Sequence, residues 1–294
     1  MLESMINPKR VEKGPWKMFF VGIVYASLSL LLVKWFFSGD PVLVEYSGMI
    51  VVLFTVMFSI PFMYYIIKQE ESEDEKAFGF WSVWRVHKDA IYAFMWLFMG
   101  FILAFSFWFI VLQDTTLFNA QIETYCRINS PGNMQGCIER YDFSAGASIS
   151  GSALESIGAS SVSKEMRLFA IMENNVYVMI FTLLLSLIFG AGAIFILAWN
   201  ASVISAAIAI FTQHSIRDIP MGVARYMIHG FPEIAAYFIT ALAGGILGVG
   251  VIRNGVSGKK FVHVLENTVI LLFIALVVLV IAALMEVYLT PLLF

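Results

Sequence analysis

The stretch VYVMIFTLLLSLIFGAGAIFILAWNASVISAAIAIF, residues 176–211, decides the fold. Its 36 residues carry one strongly polar side chain, Asn200. A continuous α-helix of that length reaches about 54 Å at roughly 1.5 Å per residue. The hydrocarbon core of a bilayer is only ~30 Å thick. The run therefore has to turn. Asn200, beside Trp199, marks the expected place: Val176–Ala198 crosses and Ala201–Phe211 starts back. The second piece is too short to cross alone, so it continues, broken, through residues 201–220. Broken membrane helices occur where backbone is buried in protein or lines a cavity.

Five further apolar runs flank this one: Met18–Phe37, Met49–Ile67 with Pro61 inside it, Ala90–Leu112, Pro232–Ile252 and Asn267–Leu289. The fold class is all-α, a polytopic transmembrane helix bundle of six full spans plus one short or broken membrane segment. Composition agrees. Of 294 residues, 60% are hydrophobic and 13% charged, and the mean hydropathy is +0.84. A soluble domain carries roughly 25% charged residues. An ordinary soluble enzyme, a disordered chain and a nucleic-acid binder are thereby excluded, and the surroundings are membrane lipids.

Three regions follow. Residues 1–112 form an N-terminal three-span module with a cytoplasmic loop at 68–89. Residues 113–167 form an extracytoplasmic polar loop. Residues 168–294 form a core with the broken segment 201–220 and an antiparallel hairpin, 232–289. Lys9, Arg10, Lys13 and Lys17 before the first span place the N-terminus in the cytoplasm of a cell-membrane protein. Arg253, Lys259 and Lys260 against Arg217 and Arg225 favour a segment 201–220 that returns across the bilayer.

Within the loop at 68–89, the acidic run Glu70, Glu71, Glu73, Asp74 and Glu75 reads as a solvated surface. Phe78, Trp81, Trp84, Arg85 and Lys88 then fall at helical spacing. They read as a short interfacial helix, with indoles at the headgroup level and snorkelling bases. Cys126 and Cys137 are too few for a disulfide scaffold or a four-ligand zinc site. In an extracytoplasmic loop they are disulfide candidates, with Pro131-Gly132 to turn the chain between them. Of the 20 residues 144–163, 15 are Ser, Gly or Ala, a composition that reads as a flexible linker.

Ionisable residues inside a membrane are costly and mark candidate sites. Glu233 lies 19 residues before Ile252, and Glu286 lies 19 after Asn267. Equal offsets from the shared turn put both carboxylates at one depth. His229 precedes Glu233 by four residues, on the same helical face. One reading is a hydrogen-bonded interhelical cluster with no cofactor. Others are a site for a divalent metal such as zinc on His229, Glu233 and Glu286, or a proton-coupled site. Asn174 and Asn175 open the fourth span. They read either as helix caps or, with Asn200, as a polar cluster facing the carboxylates. No nucleophile–base pair is present, so no catalytic residues are expected. Ala236, Thr240, Gly244 and Gly248 recur every fourth residue as a smooth packing face. That face suits another span of this chain or, in a homo-oligomer, a second copy.

Four blocks carry a family resemblance: Glu173-Asn174-Asn175; Phe189–Asn200 with Ala201-Ser202; His229-Gly-Phe-Pro-Glu233 through Tyr237, with Ala243-Gly-Gly245; and Ala282–Glu286 through Thr290-Pro291. In this order they resemble the stage II sporulation protein M family, and more closely its archaeal membrane-protein branch. Asn7-Pro8, Gly14-Pro15-Trp16 and Glu70-Glu71 are similar to that branch too. The resemblance covers nearly the whole chain and is weakest over Gln121–Lys164. It implies an integral membrane protein. The family's namesake recruits and anchors peptidoglycan-remodelling enzymes in spore-forming bacteria, a process an archaeon could not share. What the resemblance implies here is a scaffold or anchor for partner proteins. The alternative from the residues is a small ion or solute transporter, or a membrane metalloenzyme, built on His229, Glu233 and Glu286.

Overall fold

The structure is a computed structural model and describes residues 14–74, 77–129, 133–141, 163–189, 194–212, 215–256 and 258–293. Among the described residues, seven helices are long and apolar enough to cross a membrane. They are α1 (Lys17–Phe37), α2 (Ser47–Asp74), α3 (Phe80–Leu112), α6 (Lys164–Phe189), α7 (Ile194–Phe211), α8 (Ile219–Asn254) and α9 (Lys259–Leu284). Two short helices, α4 (Asn119–Asn129) and α5 (Met134–Tyr141), lie between α3 and α6. The chain alternates direction from span to span. One end of the bundle carries the α2–α3 and α8–α9 connections. The other carries α4 and α5 and is called the disulfide end below.

Two of the expected boundaries move, each for a local reason. Asn200 does not end a helix. It sits inside α7, where its Nδ2 donates to the Ile196 carbonyl at 2.7 Å and so satisfies itself on its own helix. The returning segment is a regular helix from Ile194, not a broken piece over 201–220. Likewise α8 starts at Ile219 rather than at Pro232. The proline at the first turn is Pro220, where the missing N–H removes no helical bond. Pro232 lies inside the helix, as Pro61 does in α2. Bilayer helices tolerate interior prolines because neighbouring elements satisfy the freed backbone.

The polar stretch 68–89 is helix at both ends: α2 runs to Asp74 and α3 begins at Phe80. The aromatic–basic segment is thus the first turns of α3, with Trp81 exposed. Linker residues 144–162 lie outside the described residues.

Phenylalanines build the core. Phe94, Phe98, Phe101, Phe105 and Phe109 share one face of α3 at helical spacing, and all are buried. Phe94 stacks on Phe238 of α8 with ring centroids 5.3 Å apart, and Phe109 meets Phe118 at 4.7 Å. On the opposite side of α3, Gly100 abuts the Phe19 carbonyl of α1, while Gly22 of α1 abuts the Leu97 carbonyl. The two backbones approach this closely because neither glycine has a Cβ. α8 is the most enclosed span, with 78% of its apolar window buried. α6 is the least, at 11%.

The disulfide end is ordered by polar insertion. Cys126 and Cys137 are joined by a disulfide, with Cα atoms 5.7 Å apart. Gln121 of α4 is fully buried, and its Nε2 reaches the Gly48 carbonyl at 3.0 Å and Ser202 Oγ at 3.1 Å. That residue plugs α4 into the gap between α2 and α7. Lys34 of α1 lies 3.6 Å from Asp114.

Candidate functional site

Two polar constellations lie in the bundle, and only one was legible in the sequence. The legible one lies towards the disulfide end of α8. Glu233 Oε1 accepts from the Tyr237 hydroxyl at 3.0 Å, and His229 Nδ1 lies 3.1 Å from Thr290 Oγ1. Glu286 sits in a π-helical turn, Met285–Leu289, at the end of α9. The cause is Pro291. Without an N–H it cannot bond the carbonyl four residues back, at Val287. The Thr290 N–H reaches instead to the Met285 carbonyl, five back. This turn holds Glu286 near enough for its charge to act on Glu233. Arg167 of α6, which the sequence reading passed over, likewise acts on His229 and Glu286.

Glu233 and Glu286 therefore lie near one another. His229 is engaged by Thr290 and Glu233 by Tyr237, one partner each. Among the described residues, no group of three or more His, Cys, Asp or Glu side chains is disposed to hold a metal ion. Asn174 and Asn175 lie ten residues inside α6 rather than at its start, so neither caps it. Asn174 Nδ2 donates to Asn175 Oδ1 at 3.3 Å. Asn200, bonded within α7, is not joined to them.

The small-residue face of α8 is occupied. Ala236 and Thr240 are fully buried, and a Cβ on Gly244 would stand 2.8 Å from the Leu183 carbonyl of α6. Ser186 of α6 donates to the Ala241 carbonyl of α8. The fourth span of the same chain thus fills the place considered for a second copy.

The constellation that sequence reasoning missed is at the opposite end. Glu70, Glu71 and Asp74, read as solvated, are 3%, 0% and 0% exposed. His87 of α3, also fully buried, sits between two of them. Its Nδ1 is 2.7 Å from Glu70 Oε2, and its Nε2 is 3.0 Å from Asp74 Oδ1. Arg253 at the end of α8 donates to Glu71 Oε2. Asn267 of α9 donates from Nδ2 to the Asp74 carbonyl at 3.2 Å and to the Ala77 carbonyl at 3.1 Å. Four spans meet in this clasp. Beside it, Phe78 stacks on His263 at 4.4 Å, on the wall of an open cleft of about 530 Å³.

The sequence did carry a signal for it. Phe62, Met63, Ile66 and Ile67 are buried, and Glu70, Glu71 and Asp74 extend the same stripe. Lys68 and Ser72, off the stripe, are exposed. Acids that continue an apolar face point inward whatever their chemistry.

Seven apolar helices around a phenylalanine core define a polytopic integral membrane protein. Residues 18–291 match the family model for stage II sporulation protein M, and the chain belongs to that family. No curated protein and no solved structure matches it.

Proposed function

We propose that this protein is a membrane scaffold that holds partner membrane proteins against α6. The observation that carries the reading is the exposure of that span. Only about a tenth of its apolar window is covered by the rest of the chain. Its outward face presents Phe169, Tyr177, Ile180, Phe181, Leu184 and Ile188. Aromatic and branched side chains of this kind pack against a neighbouring transmembrane helix, where van der Waals contact drives association. One face of α6 is fixed to α8 through Ser186, so the opposite face is presented in a defined direction. Family membership and the absence of a nucleophile–base pair in the sequence support the same reading.

The bundle is proposed to sit in the cell membrane with its N-terminus cytoplasmic, on the basic residues before α1. The clasp then faces the cytoplasm, and the disulfide end faces an oxidising exterior, as a disulfide requires.

The test is photo-crosslinking in native membranes. A photoreactive residue at Phe181 or Leu184 should give one discrete adduct with another polypeptide, while the same residue at Leu28 on α1 gives none. Lipid adducts alone at both α6 positions, or an adduct only with a second copy of this chain, would overturn the anchoring role.

A further inference from the structure

The clasp holds more acid than base. Three buried carboxylates, Glu70, Glu71 and Asp74, face one guanidinium, Arg253, and one imidazole, His87. Both ring nitrogens of His87 stand at hydrogen-bond distance from carboxylate oxygens. A neutral imidazole has a single N–H. Both contacts are hydrogen bonds only if one further proton lies on the ring or on a carboxyl group. Geometry thus calls for one titratable proton.

The surplus of acid favours holding that proton, because a negative charge out of water is expensive and buried sites relieve it by taking up a proton. Two buried oxygens also have no hydrogen-bond partner among the described residues, Glu71 Oε1 and Asp74 Oδ2. They lie three residues apart on one face of α2.

We propose that His87, held between Glu70 and Asp74, carries one titratable proton whose occupancy fastens α2 to α3. The proposal does not depend on the scaffold role. Losing it turns a ring nitrogen's lone pair towards a carboxylate oxygen, and the released proton passes to water at that end of the bundle. Glu73 on α2 and Asp89 on α3 are further charged groups beside Glu70. Arg253 is the facing cation from α8. From α9, His263 meets Asn267 at 3.4 Å.

The folded state then binds more protons than the unfolded chain, so stability falls as pH rises. The linked proton changes the unfolding equilibrium by up to about tenfold per pH unit. The experiment uses the full chain in lipid nanodiscs. Unfolding measured from neutral to alkaline pH should show stability that falls as pH rises. His87→Gln should flatten that dependence, and Glu70→Gln, which keeps the shape of the side chain, should do so partly if His87→Gln fails to fold. Equal pH slopes in wild type and variants would overturn the site. Stability that follows sodium at fixed pH and ionic strength would overturn the proton in favour of a cation.

Discussion

Replacing Arg253 by Gln tests the clasp where its electrostatics are simplest. Glu71 is completely buried, and Arg253 supplies its bond at Oε2 while Oε1 has no partner among the described residues. The substitution leaves the buried Glu71 side chain without its cation and with neither oxygen bonded among the described residues. A hydrogen bond to a charged group contributes roughly 1.5–3 kcal/mol. Breaking a fully buried ion pair costs about 3–5 kcal/mol. The Arg253 side chain is 53% exposed, so water shares its charge and the expectation falls near ~2 kcal/mol. Glu71→Gln in the same background removes the orphaned charge, so the double variant should return to within ~1 kcal/mol of wild type. The assay is reversible unfolding in mixed micelles at neutral pH, read by tryptophan fluorescence and arranged as a double-mutant cycle. A single variant within ~0.5 kcal/mol of wild type, or a double variant that simply adds the two single losses, would refute the reasoning.

Asn267→Ala should destabilise by about 1–2 kcal/mol, since the Asp74 carbonyl at the end of α2 and the Ala77 carbonyl beyond it lose their side-chain donor. Asn267→Asp should be worse, because it sets a negative charge against those carbonyls; chemical denaturation ranks the pair. Gly100→Leu should part α1 from α3, because its side chain meets the Phe19 carbonyl. A loss of several kcal/mol, about 3 or more by analogy with overpacked cores, is checked by thermal melting, and an unchanged midpoint counts against the close crossing. Changing Cys126 and Cys137 together to Ser opens a loop with a sequence separation of 11. Chain entropy sets the loss at ~3 kcal/mol, and faster proteolysis between α3 and α6 is the expected readout.

The membrane class and the seven crossings were legible because hydrophobic length is a local property. The chain reports it window by window, and residues 176–211 are too long for one helix under any arrangement. Boundaries were less legible, because one polar or cyclic residue has several uses. Asn200 looks like a turn but bonds the carbonyl one turn back. Pro232 looks like a start but is carried inside α8, which begins at Ile219 with Pro220 in its first turn. Glu233 and Glu286 were matched in depth by counting from a shared connection, which is again local arithmetic. The clasp was not legible as a site because its bases come from far away in the chain. His87 is 17 residues from Glu70, and Arg253 is 182 from Glu71. Without those partners, five acids within six residues look like surface. The run of buried positions ahead of them gave the only local hint.

α8 has a mechanical consequence. It is 36 residues long, about 54 Å at the helical rise, and it touches both polar constellations. Pro232 leaves the Ile228 carbonyl without its helical donor, so the rod bends most easily there. That point divides α8 unequally, with a short arm towards Ile219 and a long arm, roughly 1.7 times as long, towards Asn254. Glu233 lies at the pivot and Arg253 at the tip of the long arm. A rotation too small to disturb the packing around Glu233 is therefore magnified into a sideways displacement at the guanidinium, making the salt link to Glu71 the part of the molecule most sensitive to the angle of the rod.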